Sequence, residues 1–295
     1  MRGKIALVGL FLSLSGSAVF AQANPALPRA QDLYCTGTIT NEAVPRDTYV
    51  ITGEGSNYKI TFTEGDYIYL NKGASQGVKV GDEFSAIRPV TDPTEFDWSK
   101  WQSQIIRKMG TWWEDEGRVR VVDVHPDTAV AQVENSCNYL LRGDTLLPFQ
   151  ERVAPPLKSE EHFDRFAPVS GKALAMVMIG KAFQISFGTN DVFFVNLGTA
   201  QGVKVGDYFR IFRYTGTQHE AAYQTKDFAF DADKDATVYG RVYGFGSVPK
   251  KWNWTNTPRE VIGEGIVLRT GTNSATILTT YALRDFYVGD YVEIE

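Results

Sequence analysis

The feature that most constrains the fold is an internal repeat. Residues 66–84 read DYIYLNKGASQGVKVGDEF, and residues 191–209 read DVFFVNLGTAQGVKVGDYF, at an offset of 125 with no gap. A repeat this long indicates two copies of one folding unit. Because the shared positions are turn and strand residues rather than nucleophiles or metal ligands, the repeat favours a structural unit over an enzyme.

The repeat continues on both sides of this core. At offset 125, Gly55 matches Gly180, and the alternating Tyr58, Ile60 and Phe62 predict a strand with one buried face. Further matches lie 146 residues apart, which implies an insertion 21 residues longer in the second copy. These matches are Gly117 with Gly263, Ala129 with Ala275, and Gly143-Asp144 with Gly289-Asp290.

Short alternating strands joined by Gly-Asp turns predict an all-β fold. We expect two tandem small β-barrels, SH3-like or similar, each with an insertion that is a helix in the first. The expected units are 31–149 and 169–295, and residues 150–168 contain Pro and charged residues typical of an exposed linker.

The most sharply repeated residues are assigned to turns. We expect the glycines to supply positive φ, and the two aspartates to accept backbone hydrogen bonds in Asx-turns. Val78 and Val80 are expected to fill a barrel end. The turn residues are Gly73, Gly77, Gly81 and Asp82 in the first copy, and Gly198, Gly202, Gly206 and Asp207 in the second.

The insertions differ in sequence and carry most of the tryptophans. In the first, Trp98, Trp101, Ile105, Met109 and Trp112 recur at helical spacing, with Asp97 and Gly110 as expected caps. This helix either closes an open end of its own barrel or forms an interface. The second insertion, about 215–261, has no assignable structure, and it includes Trp252 and Trp254. We take Trp98, Trp101, Trp112, Trp252 and Trp254 as candidate interaction residues.

The N-terminus resembles a secretory signal. Arg2 and Lys4 precede an apolar stretch, and Ala21-Gln22-Ala23 is a small-x-small cleavage site. We expect residues 1–23 to be a cleaved signal peptide, with an uncleaved anchor as the alternative, and a periplasmic or secreted mature chain without a membrane span. Cleavage would change the formal net charge from −5 to −7. This mildly acidic balance argues against nucleic acid as a partner.

Cys35 and Cys137 are the two cysteines of the chain. In an exported protein, oxidising conditions favour their pairing, and we predict a disulfide that ties the start of the first unit to its end. Two buried free thiols are the alternative.

Sequence motifs for catalysis are weak. The three histidines, His125, His162 and His219, show no metal-ligand spacing with each other or with a cysteine, and there is no Gly-x-Ser-x-Gly. We therefore predict a protein that is not an enzyme and that binds neither a cofactor nor a metal. An enzyme site between the units remains an alternative and requires converging Asp, Glu or His side chains.

The turn signature Asn-x-Gly-x-x-x-Gly-Val-Lys-Val-Gly-Asp-x-Phe, followed by Arg, resembles the C-terminal β-barrel domain of the flagellar assembly protein T family. It occurs in residues 71–88 with 117–144, and again in residues 196–213 with 263–290. The chain is also similar to exported proteins of Gram-negative bacteria. The resemblance implies a periplasmic, non-enzymatic part of an envelope-spanning assembly.

Together these features predict a non-catalytic envelope protein that serves as a structural or protein-interaction module, with another envelope protein as its partner. The alternative is a glycan or peptidoglycan binder that stacks sugars on the Trp-rich insertions.

Overall fold

The computed structural model describes residues 26–55, 57–91, 101–158, 164–214 and 258–295. The expected signal segment lies outside these residues, as do Trp98, Trp252, Trp254, Asp97, His162 and His219. The described chain consists mostly of short antiparallel strands with two α-helices, and this confirms the all-β prediction with a helix in the first insertion.

The first unit contains both helices and nine of the described strands. These elements are α1 (Ala30–Tyr34), β1 (Thr38–Thr40), β2 (Val50–Gly53), β3 (Thr61–Phe62), β4 (Tyr67–Leu70), β5 (Glu83–Val90), α2 (Gln102–Met109), β6 (Thr111–Val124), β7 (Ala129–Ser136), β8 (Leu140–Leu141) and β9 (Thr145–Pro148).

The second unit contributes eight described strands. They are β10 (Leu174–Gly180), β11 (Ser186–Phe187), β12 (Val192–Val195), β13 (Tyr208–Tyr214), β14 (Arg259–Thr270), β15 (Ala275–Ala282), β16 (Phe286–Tyr287) and β17 (Tyr291–Ile294).

The two units share one strand order. The second is a closed barrel in the order β10-β12-β15-β14-β13-β17, and the first follows the equivalent path β2-β4-β7-β6-β5-β9. A bridge between Tyr49 and Thr145 and a 3.0 Å hydrogen bond from Val50 N to Asp144 O join the ends of the first path. The repeat in the sequence therefore corresponds to a repeat of strand pairing.

The repeated turn is the same in both units. A short 3-10 helix ends at Gly77 and Gly202, whose φ angles of 87° and 83° favour glycine. Gly73 and Gly198 do not have the predicted positive φ, because their backbones are extended. A side chain there would collide with the backbone of the neighbouring hairpin, so close approach rather than positive φ requires glycine.

The remaining turn residues close the same loop. Gly81 and Gly206 have φ angles of 93° and 92°. Oδ2 of Asp82 accepts a hydrogen bond from Lys79 N at 2.9 Å, and Oδ2 of Asp207 accepts one from Lys204 N at 2.8 Å. Val80 does not fill the barrel end, because its side chain is 65% exposed.

Two further sequence predictions are wrong. Tyr58 and Ile60 are 93% and 69% exposed, and β3 is only two residues long, so Phe62 alone is buried. The residue of the first unit that is structurally equivalent to Gly180 is Gly53 rather than Gly55. Each of these two glycines lies against a repeated phenylalanine ring, Phe62 or Phe187, and a Cβ there would overlap that ring.

The helix of the first insertion is shorter than predicted. It spans Gln102–Met109 and ends at Gly110, whereas Trp112 lies on β6 with its side chain buried. The helix does not close its own barrel. Met109 and Trp112 belong to the core cluster of the second unit, where Ile105 and Ile106 also pack.

The linker also packs on the second unit in its described part. Pro155 is buried, and Ala154 and Leu157 pack against the cluster that contains Tyr208. The prediction of an exposed linker is therefore wrong for these residues.

Candidate functional site

The first barrel exposes four large apolar side chains on its outer surface, which we call the bare face: Tyr49, Ile51, Tyr67 and Tyr69. They are 41%, 40%, 39% and 39% exposed, respectively. Tyr67 and Tyr69 alternate along β4 with two fully buried residues, because successive side chains of a strand point to opposite faces. Tyr49 and Ile51 flank buried Val50 where β2 pairs with β4.

The second unit has an equivalent face, which we call the covered face: Met176, Met178, Val192 and Phe194. Strand register fixes the correspondence, since Val50 pairs with Leu70 as Val177 pairs with Val195. Asn71 Oδ1 accepts a hydrogen bond from Tyr49 N at 2.7 Å, and Asn196 Oδ1 accepts one from Met176 N at 2.8 Å.

The covered face is buried by the first unit. Met178, Val192 and Phe194 are 1%, 8% and 0% exposed, and Met176 is half-buried. The Trp112 ring meets Phe194 edge-on with centroids 5.6 Å apart, and Gln102 Nε2 donates to Met178 O. Leu33 of α1 lies in one cluster with Val192.

Strand β1 completes this cover. The Thr276 hydroxyl on β15 donates to Gly37 O at 3.3 Å, and Ser274 Oγ donates to Ile39 O. Ile39 is fully buried in the core cluster of the second unit. The cover therefore consists of two short helices, one strand and the start of β6, all from the first unit.

The predicted disulfide is present and holds one end of the cover in place. Cys35 follows α1 directly and is bonded to Cys137, which lies just beyond β7. The two cysteines are 102 positions apart in the chain, and the bond fixes α1 to the body of the first unit.

The candidate tryptophans have different environments. Trp101 is 74% exposed at the start of α2, whereas Trp112 is 3% exposed and belongs to the contact between the units. Trp112 is therefore not available to an external partner. Trp98, Trp252 and Trp254 lie outside the described residues.

Each barrel also contains one partly buried ion pair, and the two pairs lie at equivalent positions. Arg88 donates from Nε and Nη2 to the Asp144 carboxylate at 2.7 and 2.8 Å, and Arg213 binds Asp290 in the same way at 2.8 and 2.6 Å. Such bidentate arginine–carboxylate pairs are strong and geometrically specific. Their presence at equivalent positions of both barrels indicates that they are part of the fold.

One carboxyl near this pair is specific to the first unit. Glu116 is fully buried, and it aligns with Ile262 at the 146-residue offset. Burial raises the pKa of Glu116 to about 7, although Arg88 Nη1 lies 3.1 Å from Oε1. Neither carboxylate oxygen accepts a well-directed hydrogen bond from the described residues.

A cleft of about 500 Å³ lies between the units, and its lining includes Glu42, Asp115, Glu151, Arg152 and Arg269. Asp115 is buried and lies 3.0 Å from Arg269 Nη1. Burial raises the pKa of Asp115, but Arg269 and Arg152 lower it below its ordinary value. Asp115 is thus an ion-paired carboxylate, which makes it a poor general base.

The other chemical groups are dispersed. His125 lies on the surface, with Nε2 3.3 Å from Oδ2 of Asp123. In the described ranges, no group of three His, Cys, Asp or Glu side chains is arranged to hold a metal ion. Nor do those ranges contain a helix with the length and apolar character needed to cross a bilayer.

Comparison of the chain with models of protein families, and with curated proteins, found no match.

Sequence reasoning missed the bare face because the repeat was used to find shared residues, and this face is where the copies differ. The signal was nevertheless visible. β4 reads YIYL, with an amphiphilic residue at every second position, whereas β12 reads VFFV, as expected of a strand buried on both faces.

Proposed function

We propose that this protein is a non-catalytic, exported component of the bacterial cell envelope that binds another protein through the bare face of its first unit. The observation that carries the proposal is the contrast between two equivalent faces. Four apolar positions are each about 40% exposed in the first unit, and their counterparts are covered in the second. Contiguous exposed apolar patches commonly mark interaction sites.

The surroundings of the bare face suit a protein interface. At one end of β4, Lys72 forms an ion pair with Asp47, and at the other Lys59 Nζ lies 2.6 Å from Asp66 Oδ1. An apolar centre with a polar rim, rich in tyrosine, is the usual anatomy of a protein–protein interface.

The covered face suggests the chemistry of the partner. It receives short helices and a strand that contribute Leu33, Ile39, Met109 and Trp112. Because the two faces are built on the same barrel, we expect the partner to present a similar compact group of aliphatic and aromatic side chains. The resemblance to a periplasmic barrel domain of an assembly protein agrees with this role.

The test is site-specific photo-crosslinking in cells that produce the protein. A photoreactive phenylalanine analogue at Tyr69 should capture one defined envelope protein, and the additional substitution Tyr67→Ser should abolish that product. The same analogue at Tyr58, which is 93% exposed and lies off β4, is the matched control and should not give the product. Equal products from both positions would contradict the proposal.

Purified sacculi distinguish the glycan-binding alternative. If the full chain is retained on sacculi, the effect of two variants identifies the site. Retention that survives Tyr67→Ser with Tyr69→Ser but is lost with Trp101→Ala would favour a glycan binder that stacks sugars on exposed tryptophan over a protein-binding role. The expected result is no retention by sacculi for either form.

A further inference from the structure

We propose that the bare face binds a second copy of this chain, in a head-to-tail contact with the second unit of that copy. This inference rests on the proposed function, because it names the partner of the bare face. The contact between the two units of one chain is made by parts of the first barrel that recur in the second barrel. In the second barrel these parts leave apolar side chains exposed.

The first unit covers its neighbour with a projection that we call the first arm. It consists of the end of β5 (88–90), the start of β6 (111–113) and strand β1, which pairs with β6. Ile39 and Trp112 of this arm are 0% and 3% exposed, and both belong to the core cluster of the second unit. The first arm thus buries its apolar side chains on the outer face of the next barrel.

The second unit has an equivalent projection, which we call the second arm. It consists of the end of β13 (212–214), the start of β14 (259–261) and residues 164–169 beside them. Tyr214 pairs with Arg259 as Pro89 pairs with Trp113, and these residues are related by the same offsets of 125 and 146. The strand pairing of the two arms is therefore in the same register at this point.

Residues 164–169 take the place that β1 has in the first arm. Val261 N donates to Arg165 O at 2.8 Å, and Arg259 Nε donates to Ala167 O at 3.1 Å. The segment therefore runs antiparallel along the start of β14, as β1 does along β6. Ala167 is buried against Val261 of its own unit.

The two arms differ in what becomes of their apolar side chains. Phe166 and Val169 of the second arm are 59% and 58% exposed, whereas Ile39 of β1 is fully buried. The second arm is thus an exposed apolar surface, and the bare face is an exposed barrel face of the kind that the first arm covers. The contact within one chain shows that an arm and a face of these two shapes fit each other.

The length of chain at the end of the second arm supports the same occupant. Between the paired residues the second arm carries 44 residues (215–258), and the first carries 23 (90–112). The longer stretch includes Trp252 and Trp254. The second arm therefore has at least as much chain, and as many large apolar side chains, with which to cover a barrel face.

A head-to-tail contact accounts for both exposed surfaces at once. Pairing of two bare faces would leave Phe166 and Val169 exposed, and an unrelated partner on the bare face would account for one surface alone. Because the two contacting surfaces are different, each added copy offers one free arm or face to the next. Such contacts generate rings or open filaments rather than a closed two-fold dimer.

Mixing two variants tests the assignment of the surfaces. Tyr69→Arg blocks the bare face, and Phe166→Arg blocks the second arm. In sedimentation velocity, the mean mass of the purified mature wild type should rise with concentration, and each variant alone should associate at least about tenfold more weakly. An equimolar mixture of the two variants should form a dimer of one copy of each and nothing larger, because one intact face and one intact arm remain.

Two kinds of control accompany this experiment. Val80→Arg and Val205→Arg add the same charge at equivalent residues of the repeated turn, which are 65% and 49% exposed and belong to neither surface, so both should associate like the wild type. Tyr67→Arg and Val169→Arg form a second pair that should reproduce the result of the first pair. A dimer in the mixture also shows that both of its members are folded.

Three outcomes would overturn self-association through these surfaces. The first is a wild type that stays monomeric up to about 1 mM. The second is loss of association in Tyr69→Arg with full association in Phe166→Arg, which would indicate two paired bare faces. The third is the absence of a dimer from the mixtures of both variant pairs.

Photo-crosslinking from Tyr69 in cells separates this inference from the proposed function. A crosslinked product of two copies of this chain supports both. A product with a different protein, together with a monomeric purified chain, overturns self-association and leaves the proposed function standing. A monomeric chain that gives no product from Tyr69 overturns both.

Discussion

The outer faces of β4 and β12 occupy the same place in two barrels of the same strand order, yet only the face on β12 is covered. The cover is supplied by the first unit through Leu33, Ile39, Met109 and Trp112. The bare face keeps two tyrosines where the covered face has Val192 and Phe194. The same surface of the repeated fold thus differs between the two units. In the second unit it forms the contact with the first unit, and in the first unit it is exposed to solvent.

The difference between the two faces also explains why the two copies are similar in sequence at the turn and dissimilar on the outer faces. The turn sequence QGVKVGD is shared because both barrels need the same tight loop and close backbone contact. The side chains on the outer faces are under no such common demand. They follow what each face contacts, which is the first unit in one case and solvent in the other.

The largest expected effect comes from a matched pair of truncations on the two faces. Phe194→Ala should lower the free energy of unfolding by about 3–5 kcal/mol, because it removes a fully buried ring and its contact with Trp112. Tyr69→Ala, at the equivalent position, should cost about 1 kcal/mol or less. Urea unfolding measures the free energy of unfolding of both variants. Similar losses of stability would mean that the two faces are equally buried.

The disulfide should matter most for the covered face. Cys35→Ala with Cys137→Ala should reduce the free energy of unfolding by about 2–5 kcal/mol, since the bond joins positions that are 102 apart in the chain. Because Cys35 anchors α1 over Val192, backbone amides of β12 should lose protection from hydrogen exchange more than those of β4. A uniform rise in exchange across both barrels would contradict the anchoring role. Reducing agent should not change the double variant.

A third prediction concerns the buried carboxyl that only the first unit has. The pKa of Glu116 rises from 4.5 to about 7 on folding, so the native state holds the proton more tightly than the unfolded chain. The contribution of Glu116 to stability is then fully present below pH ~4.5 and is lost as the pH rises through about 7. Glu116→Gln should remove this loss and stabilise the protein by about 2–3 kcal/mol at pH 8, with little effect at pH 4.

The control for this prediction comes from the second unit. Glu116→Ile copies the residue found at the equivalent position, Ile262, and should give the same loss of pH dependence. Unfolding by denaturant at pH 4, 6 and 8 measures how the free energy of unfolding depends on pH. If the difference in free energy of unfolding between wild type and variant did not change with pH, Glu116 would not titrate in this range.

The smallest effect tests a feature that the units share. Asp82→Ala and Asp207→Ala each remove one hydrogen bond in the repeated turn, and each should cost about 0.5–1.5 kcal/mol. The two losses should be equal, because the loops have the same geometry. Unequal losses in thermal or urea unfolding would show that contacts outside the turn contribute.

Much of the local structure could be predicted from the sequence. Alternation along β4 and glycine in the repeated turns follow from short-range chemistry, and the disulfide is the one pairing that two cysteines allow. The errors occur where neighbours in space decide. Tyr58 and Ile60 alternate like a strand, but neither pairs with a strand among the described residues, and both are exposed.

The assignment of the first insertion failed for the same reason. Trp101, Ile105, Met109 and Trp112 keep helical spacing, but the chain changes to a strand after Gly110, and Trp112 then pairs with β5. Spacing cannot show this change, because apolar residues at intervals of three or four also occur where a short helix meets a strand. Nor can spacing show which of two barrels the helix packs on.

The sequence by itself determined two copies of one barrel, the tight turns within them and the disulfide. The barrels follow from a repeat with a fixed offset, the turns from residues close together in the chain, and the disulfide from the one pairing that two cysteines allow. Only the tertiary structure decided that the first unit covers the second, that Asp115 and Arg269 meet across a cleft, and that the bare face stays open. These features join residues far apart in sequence, and burial on a barrel surface depends on what packs there rather than on the pattern of the strand itself.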